Sequence, residues 1–269
     1  MKTIFLFALG AGFSLTTLMA QSNPFLTGFT EATQMGSLEN RTTYTYLGGI
    51  YMYEPATTGL VTGRPYSAVA VTHSEQVYGD GLRIEHTNKT ALYRDEQGRT
   101  RTDSDNGSHV NILDPIQGLN INLEVLPKLA TKAIMVNARK NTFNRPSQGL
   151  PSPFETAQLQ AKRTPGAVAE DLGKQTINGV PALGARVVNT IPFGKLGNDR
   201  EFKIVYERWV SQDLQVLVKT VTTDPREGTI TYELTNISRF PPDPRLFEIP
   251  AEYTVTVVDR NQNGGRGGQ

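Results

Sequence analysis

Residues 201–238 read EFKIVYERWVSQDLQVLVKTVTTDPREGTITYELTNIS, and this stretch decides the fold. β-Branched and aromatic residues fill three runs of strand length, and short polar runs separate them. Such a pattern is typical of antiparallel strands joined by tight turns. We therefore predict a β-meander with a two-residue loop at residues 212–213 and a second loop at residues 224–228.

These two loops also predict the register of the meander. Trp209 would lie opposite Val216, and Lys219 would lie opposite Glu233 as a favourable pair of opposite charges. Because side chains alternate along a strand, one face would then be apolar and the other mixed. The predicted apolar face, either core or pocket, carries Val205, Trp209, Val216, Val218, Ile230, Tyr232 and Leu234. The predicted mixed face carries Tyr206, Arg208, Lys219, Thr231, Glu233 and Thr235.

Alternating runs also fill the chain before the meander. Residues 66–78 (YSAVAVTHSEQVY) and 82–94 (LRIEHTNKTALYR) flank Gly79-Asp80-Gly81, whose residues tolerate the positive φ of a turn. Residues 114–118 form another Asp-Pro-x-x-Gly loop between alternating runs. All these connections are hairpins, so we predict a mostly β protein: a single strongly curved antiparallel sheet or half-barrel with one short helical segment.

Residues 1–20 have the pattern of a signal peptide. Lys2 is positive, residues 4–18 carry no charge, and Ala20 is the small residue that a signal peptidase requires. A transmembrane anchor is the weaker interpretation, because a spanning helix needs about 20 apolar residues. We expect an exported protein, periplasmic or secreted, with no membrane span after cleavage.

The rest of the chain divides by composition. Prolines and polar residues interrupt the strand pattern after residue 137, where only residues 154–162 suggest a helix. Leu246 and Phe247 are expected to dock on the sheet, and they and the interrupted region are candidate covers for the apolar face. The predicted organisation is a signal peptide (1–20), an N-terminal extension (21–63), a β domain (64–257) with a polar insertion at about 137–169, and a flexible Gly-rich tail (258–269).

Composition excludes several classes of function. The chain has no cysteine, which removes disulfides and thiol chemistry. A net charge of +1 provides no field that would attract nucleic acid, so we expect no nucleic-acid partner. No nucleophile lies at motif spacing from a base, and no phosphate loop is present. We therefore predict no catalytic residues and no cofactor.

The histidines suggest a metal site. A two-residue or four-residue loop around Gly79-Asp80-Gly81 would place His73 directly opposite His86, with Glu75 one pleat away on the same face. Two imidazoles and a carboxylate suit Zn²⁺ or Cu²⁺. The alternative is an exposed polar pair, because two ligands without a placed third rarely make a site.

Two further groups are candidates for chemistry. Glu207 is predicted near Trp209, where desolvation would raise its pKa as a general acid requires; the alternative is an exposed or paired carboxylate. Arg94, Arg99 and Arg101 form a basic cluster near a turn, a candidate contact for an anion or a partner. The alternative for these arginines is an ordinary solvated hairpin.

Several motifs resemble those of known proteins. They are Asp80-Gly81-x-Arg83-Ile84, Tyr93-Arg94-Asp95-x-x-Gly98-Arg99-Thr100-Arg101, Asp114-Pro115-x-x-Gly118, Glu170-Asp171-Leu172-Gly173-x-Gln175-x-Ile177-x-Gly179-Val180, Glu207-Arg208-Trp209 and Pro242-Asp243-x-x-Leu246-Phe247-x-Ile249-Pro250-x-x-Tyr253. Over about residues 64–257 the chain resembles a family of uncharacterised exported bacterial β-rich proteins. More distantly it resembles periplasmic lipoprotein carriers (LolA-like) and related stress-sensing regulators, which implies a half-barrel that holds acyl chains against helices.

Three classes of function follow. We predict a protein-interaction or sensory module of the cell envelope that binds an envelope protein. The alternative is a carrier or binder of an acyl chain or another apolar ligand, and the third class is an enzyme. An apolar face covered by the chain itself favours the first, an open face favours the second, and titratable groups converging in a cleft favour the third.

Overall fold

The computed structural model describes residues 42–47, 50–55, 60–104, 107–134, 147 and 149–259. Strands β1 (Thr42–Leu47) and β2 (Ile50–Pro55) form a separate antiparallel pair. The predicted signal peptide and most of the predicted tail lie outside the described residues.

Twelve further strands form one sheet. They are β3 (Tyr66–Val77), β4 (Arg83–Arg94), β5 (Thr100–Asp103), β6 (His109–Asp114), β7 (Leu119–Glu124), β8 (Leu129–Ile134), β9 (Ala167–Ile177), β10 (Val180–Ile191), β11 (Phe202–Ser211), β12 (Val216–Asp224), β13 (Gly228–Ser238) and β14 (Thr254–Asp259). Their order is β14-β8-β7-β6-β5-β4-β3-β13-β12-β11-β10-β9. Every neighbouring pair is antiparallel except β14 and β8, which are parallel. The sheet is open and consists almost entirely of antiparallel pairs. The predicted fold class, mostly β with a single antiparallel sheet, is therefore confirmed.

The sheet consists of two meanders. Strands β3 to β8 pair in chain order, and strands β9 to β13 do the same. The pairing of β13 with β3 joins the two meanders and brings Leu234 opposite Ala70. Each meander is therefore built from local hairpins, and a single long-range strand pair connects them.

The structure confirms one half of the predicted register and corrects the other. Lys219 lies opposite Glu233, as predicted. The first loop is wrong: the turn spans residues 212–215, and Trp209 pairs with Lys219 across a β-bulge instead of with Val216. The reason is Leu214, which is buried in the core and therefore belongs to a longer turn that folds inward.

One α-helix, α1 (Pro153–Arg163), is present among the described residues, close to the predicted 154–162. Proline in its first turn suits helix initiation. Lys162 and Arg163 in its last turn interact favourably with the negative end of the helix dipole. Ala157 packs against Ala185 and Val187 of β10. Helix α1 therefore covers part of β10.

A second apolar cluster occupies the β6–β8 region. The 3₁₀ helix Pro244–Phe247 packs Phe247 there, against Ile112 and Leu123. The expected docking of Leu246 and Phe247 on the sheet is therefore confirmed. They cover this second cluster, however, rather than the face around Trp209.

Candidate functional site

The centre of the predicted apolar face is buried core. Trp209, Val218 and Leu234 belong to one buried cluster, and Leu234 is only 1% exposed. The other buried members of the cluster are Tyr66, Ala68, Ala70, Ile177, Val180, Ala182 and Leu214. The face is therefore filled by β3, by the β9–β10 hairpin and by the turn after β11, and not by helix α1 or Phe247.

The remaining four residues of the predicted face lie further out. Val216 and Tyr232 are partly buried and pack against this cluster. Val205 and Ile230 are half-buried and are not among its members. The structure thus brings together the part of the face around Trp209 and leaves out the part at the far ends of β11 and β13.

Two residues assigned to the mixed face are buried instead. Tyr206 and Arg208 lie beneath helix α1, opposite Val187 and Ala185. The prediction placed them on the mixed face because it considered the 137–169 region, which contains this helix, only as a cover for the opposite, apolar face. They line a small cavity with Pro153, Thr156, Ala157, Gln160, Ala185 and Val187.

The size of this cavity limits what it can hold. Its volume is about 10 Å³, room for about one water molecule. Ligand pockets measure about 300–1,000 Å³. Gln160 is buried, and its Nε2 has no hydrogen-bond partner among the described residues, so the cavity suits a water molecule and not an acyl chain.

A glycine positions the only tryptophan. Gly184 of β10 lies opposite Trp209 of β11, and a Cβ atom at Gly184 would come within 2.4–2.6 Å of three ring atoms. The indole therefore lies directly against the backbone of β10. A glycine inside an alternating strand is the sequence signal that would have predicted such a close approach.

The three arginines of the predicted basic cluster have separate partners. Arg99 Nε lies 2.6 Å from Asp95 Oδ2, and Arg101 Nε lies 2.6 Å from Asp103 Oδ1. These two charges are therefore balanced by neighbouring carboxylates. The cluster does not form a joint anion site.

Arg94 is the buried member of the cluster. Its guanidinium carbon lies 4.8 Å from the centre of the Tyr66 ring. Its Nε donates to the Arg64 carbonyl at 3.0 Å, and its Nη2 donates to the Leu214 carbonyl. Burial lowers the pKa of Arg94 and raises the pKa of Tyr66. Arg94 thus has a structural role, because it ties the end of β4 to the turn after β11.

The carboxylate of Glu207 is an ion-pair partner. It accepts hydrogen bonds from Arg186 Nε at 2.9 Å and Nη2 at 2.6 Å, and Arg186 also donates to Glu170 at 3.1 Å. The hydrogen bonds that Arg186 donates to Glu207 raise the pKa of Arg186. This environment differs from the apolar pocket that the general-acid hypothesis requires.

The predicted pairing of the two histidines is wrong. His73 lies opposite Thr87, and His86 lies opposite Ser74. The turn takes five residues, 78–82, between the paired Val77 and Arg83. Because alternate side chains point to opposite faces, this shift of one residue places His86 on the other face from His73.

A different set of side chains meets where the metal site was predicted. His73, Glu75 and Glu85 each offer a ligand atom, and these atoms lie within 4.8 Å of one another. Glu75 and Glu85 are directly opposed, and Arg83 Nη1 lies 2.9 Å and 3.2 Å from their oxygens. One imidazole and two carboxylates could hold a divalent ion if the exposed Arg83 side chain moves aside.

One end of the sheet carries a group of exposed apolar side chains. The β3–β4 turn and the adjoining strand end carry Val77, Tyr78 and Leu82, and the β10–β11 loop carries Phe193, 74% exposed, and Leu196. We call these five residues the tip surface. The pairing of Thr229 with Glu75 places the β12–β13 turn at the same end, between the two loops. Since neighbouring strands lie about 4.8 Å apart, the two apolar loops are roughly 20 Å apart.

The β12–β13 turn between these loops is polar. Arg226 Nη2 lies 2.6 Å from Asp224 Oδ2. Burial, followed by the nearby Asp224, raises the pKa of Glu227. A charged turn therefore separates the two apolar loops of the tip surface.

No protein-family model matches the chain, and no curated protein is significantly similar to it. Among solved structures, an uncharacterised conserved protein from Thermus thermophilus is 11% identical, with a TM-score of 0.37, covering 72% of this chain and 91% of that one. A chain in the MucA/MucB complex of Pseudomonas aeruginosa is 13% identical, with a TM-score of 0.31, covering 73% of this chain and 59% of that one. LprF from Mycobacterium bovis is 13% identical, with a TM-score of 0.27, covering 68% of this chain and 90% of that one. The likeness is one of fold and is distant.

None of the helices in the described part of the chain has the length and apolar character needed to cross a membrane.

Proposed function

We propose that this chain is an exported, non-enzymatic β protein that acts as a protein-interaction or sensory module in the cell envelope. The observation that carries the proposal is the filling of the apolar face around Trp209 by the chain's own side chains. An acyl-chain carrier needs an apolar cavity of ligand size. Here the residues that could line such a cavity pack against one another instead.

The tip surface is the candidate site for a partner. Phe193 and Leu196 on one loop, and Val77, Tyr78 and Leu82 on the other, are exposed. Exposed apolar patches mark interaction sites, and aromatic side chains are enriched in protein interfaces. We infer that an envelope protein binds across these two loops.

The candidate chemical groups support a role without catalysis. Glu207 is paired with Arg186, and Arg99 and Arg101 are paired with aspartates. Groups held in ion pairs on separate strands do not converge on a substrate in the way that a catalytic site requires.

Photo-crosslinking in the source cells tests this proposal. A photoreactive amino acid replaces Phe193 in one variant and Ile116, an exposed apolar residue at the opposite end of the sheet, in the control. We expect one discrete crosslinked product at position 193 that is absent at 116 and weakened by Leu82→Asp. The same products at both positions, or none at 193, would contradict a partner at the tip surface.

Native mass spectrometry of the protein purified from the exported fraction separates the proposal from the carrier alternative. We expect the mass of the polypeptide, as a monomer or a dimer, with no bound small molecule. A lipid bound in stoichiometric amount would instead support the carrier of an acyl chain, and a bound small-molecule substrate or cofactor would direct attention to an enzyme.

A further inference from the structure

The two edges of the large sheet differ in chemistry. Among the described strands, β9 pairs only with β10, and β14 pairs only with β8. Each edge strand therefore has a row of backbone N–H and C=O groups on its outer side. Such a row is a template for pairing with another strand unless the sequence protects it.

The edge at β9 is protected. Glu170, Asp171 and Lys174 are exposed charged residues along it. Its register with β10 shifts at Gly184/Ala185, and Gly173 beside the shift has a φ of +68°. Charges and a bulge are the usual devices by which an edge strand avoids added strands.

The edge at β14 has none of these devices between residues 254 and 258. Its sequence is TVTVVD, so residues 254–258 are all β-branched and contain no charge, glycine or proline. The register with β8 runs through Thr254–Asp259 without a shift. Val255, Val257 and Val258 are exposed, and Leu129 of the neighbouring β8 is exposed as well. An uninterrupted, neutral, β-branched edge of this kind is suited to receive a strand.

We propose that β14 is a self-association strand that pairs with β14 of a second copy of this chain, antiparallel and about a two-fold axis at Thr256. A two-fold contact requires a self-complementary surface. In this register Val255 of one copy lies opposite Val257 of the other, and the two Thr256 residues face each other. No like charges oppose each other among residues 254–258, whereas a charged partner segment would find no complementary charge there.

Sedimentation velocity over a wide range of protein concentration tests the pairing, with two valines of matched exposure. Val257, on β14, is 59% exposed, and Val168, on β9, is 60% exposed. We expect the wild type and Val168→Lys to form dimers equally well. Val257→Lys should weaken dimerisation by about tenfold or more, because the added ammonium disrupts the neutral edge. Unchanged melting temperatures would show that both variants remain folded.

Cysteine crosslinking tests the register, because the natural chain contains no cysteine. Directly opposed Cβ atoms in a sheet lie about 4.5–5.5 Å apart, close to the separation that a disulfide spans. Under mild oxidation, Thr256→Cys should give a covalent dimer much faster than Val168→Cys. A wild-type protein that stays monomeric at all concentrations, or equal crosslinking in the two cysteine variants, would overturn the proposal.

Discussion

At the scale of single residues, the contact between Gly184 and Trp209 shows how one missing side chain shapes the core. The indole occupies the space in which any other residue at 184 would place its Cβ atom. Trp209 is buried as a result, even though it lies next to a β-bulge. The packing of the only tryptophan therefore depends on the identity of a residue in the neighbouring strand.

The variant Gly184→Ala tests this contact. We expect its free energy of unfolding to fall by about 1–3 kcal/mol, because overpacking forces the indole or the backbone to move. Denaturant unfolding followed by Trp209 fluorescence gives the value. The control is Gly79→Ala, where nothing lies within 4 Å of the added Cβ atom. An equal loss in both variants would contradict the steric explanation.

The second prediction at this scale concerns metal binding by His73, Glu75 and Glu85. We expect Zn²⁺ to raise the melting temperature, because an ion that binds only the folded state stabilises it. His73→Ala and Glu85→Gln should abolish the rise. His86→Ala should retain it, because His86 lies opposite Ser74 on the other face. No rise in the wild type, or the same loss in His86→Ala, would exclude this ligand set.

At the scale of elements, the predicted register of the meander is correct between β12 and β13 and wrong between β11 and β12. The β12–β13 turn follows from Asp224 and Gly228, whose conformational preferences are local. The β11–β12 turn depends on the burial of Leu214, which contacts residues far away in the sequence. Local turn chemistry therefore predicted the register of the β12–β13 turn but not that of the β11–β12 turn.

The Lys219–Glu233 pair gives a prediction for this element. The Nζ and Oε2 atoms are 3.2 Å apart. Reversing either charge alone should lower the free energy of unfolding by about 0.2–1 kcal/mol, and the double reversal should recover part of the loss. The recovery should be incomplete, because Glu233 Oε1 also accepts a hydrogen bond from Asn178 at 2.7 Å. Strictly additive effects in the double-mutant cycle would contradict a direct interaction.

Truncation of Leu234 tests whether this part of β13 is packed in the core. Leu234→Ala should cost about 2–5 kcal/mol of unfolding free energy, because the surrounding side chains cannot fully close the cavity. Ile230→Ala is the control: it lies on the same strand, half-buried and outside the cluster, so its loss should be smaller. Trp209 fluorescence should not respond to an acyl probe. A small loss at Leu234 together with a fluorescence response would favour the carrier.

At the scale of the whole molecule, two meanders share one sheet through the pairing of β13 with β3. This arrangement leaves two edges that differ in charge and regularity, and it gathers two apolar loops at one end. The interaction proposal concerns that end, and the self-association proposal concerns the edge at β14. A dimer through β14 would not involve the tip surface, so the two proposals can fail independently.

Processing of the chain gives the prediction at this scale. N-terminal sequencing of the exported protein should begin at Gln21, because Ala20 completes the signal-peptidase pattern. The mature chain would then have 269 − 20 = 249 residues, which intact-mass measurement checks. Exported protein that still begins at Met1 would contradict the predicted signal peptide.

The sequence by itself determined the strand class and most of the hairpins. Period-two alternation and the turn residues of Asp114–Gly118 and Asp224–Gly228 act over a few neighbouring residues, so they can be recognised without a structure. The charge pair of Lys219 with Glu233 follows from the same local rules. The apolar character of the face around Trp209 was also visible at this level.

Only the tertiary structure decided which surfaces are buried and which side chains meet. Tyr206 and Arg208 are buried because helix α1, distant in sequence, packs over them. Glu85, and not His86, joins His73 because the β3–β4 turn takes five residues. Likewise, the parallel pairing of β14 with β8 joins segments more than a hundred residues apart in the sequence. The burial under helix α1 and the pairing of β14 depend on contacts between distant segments, whose free energy does not appear in any local pattern of residues. The β3–β4 turn is local, but the residues Gly79-Asp80-Gly81 are compatible with more than one turn length.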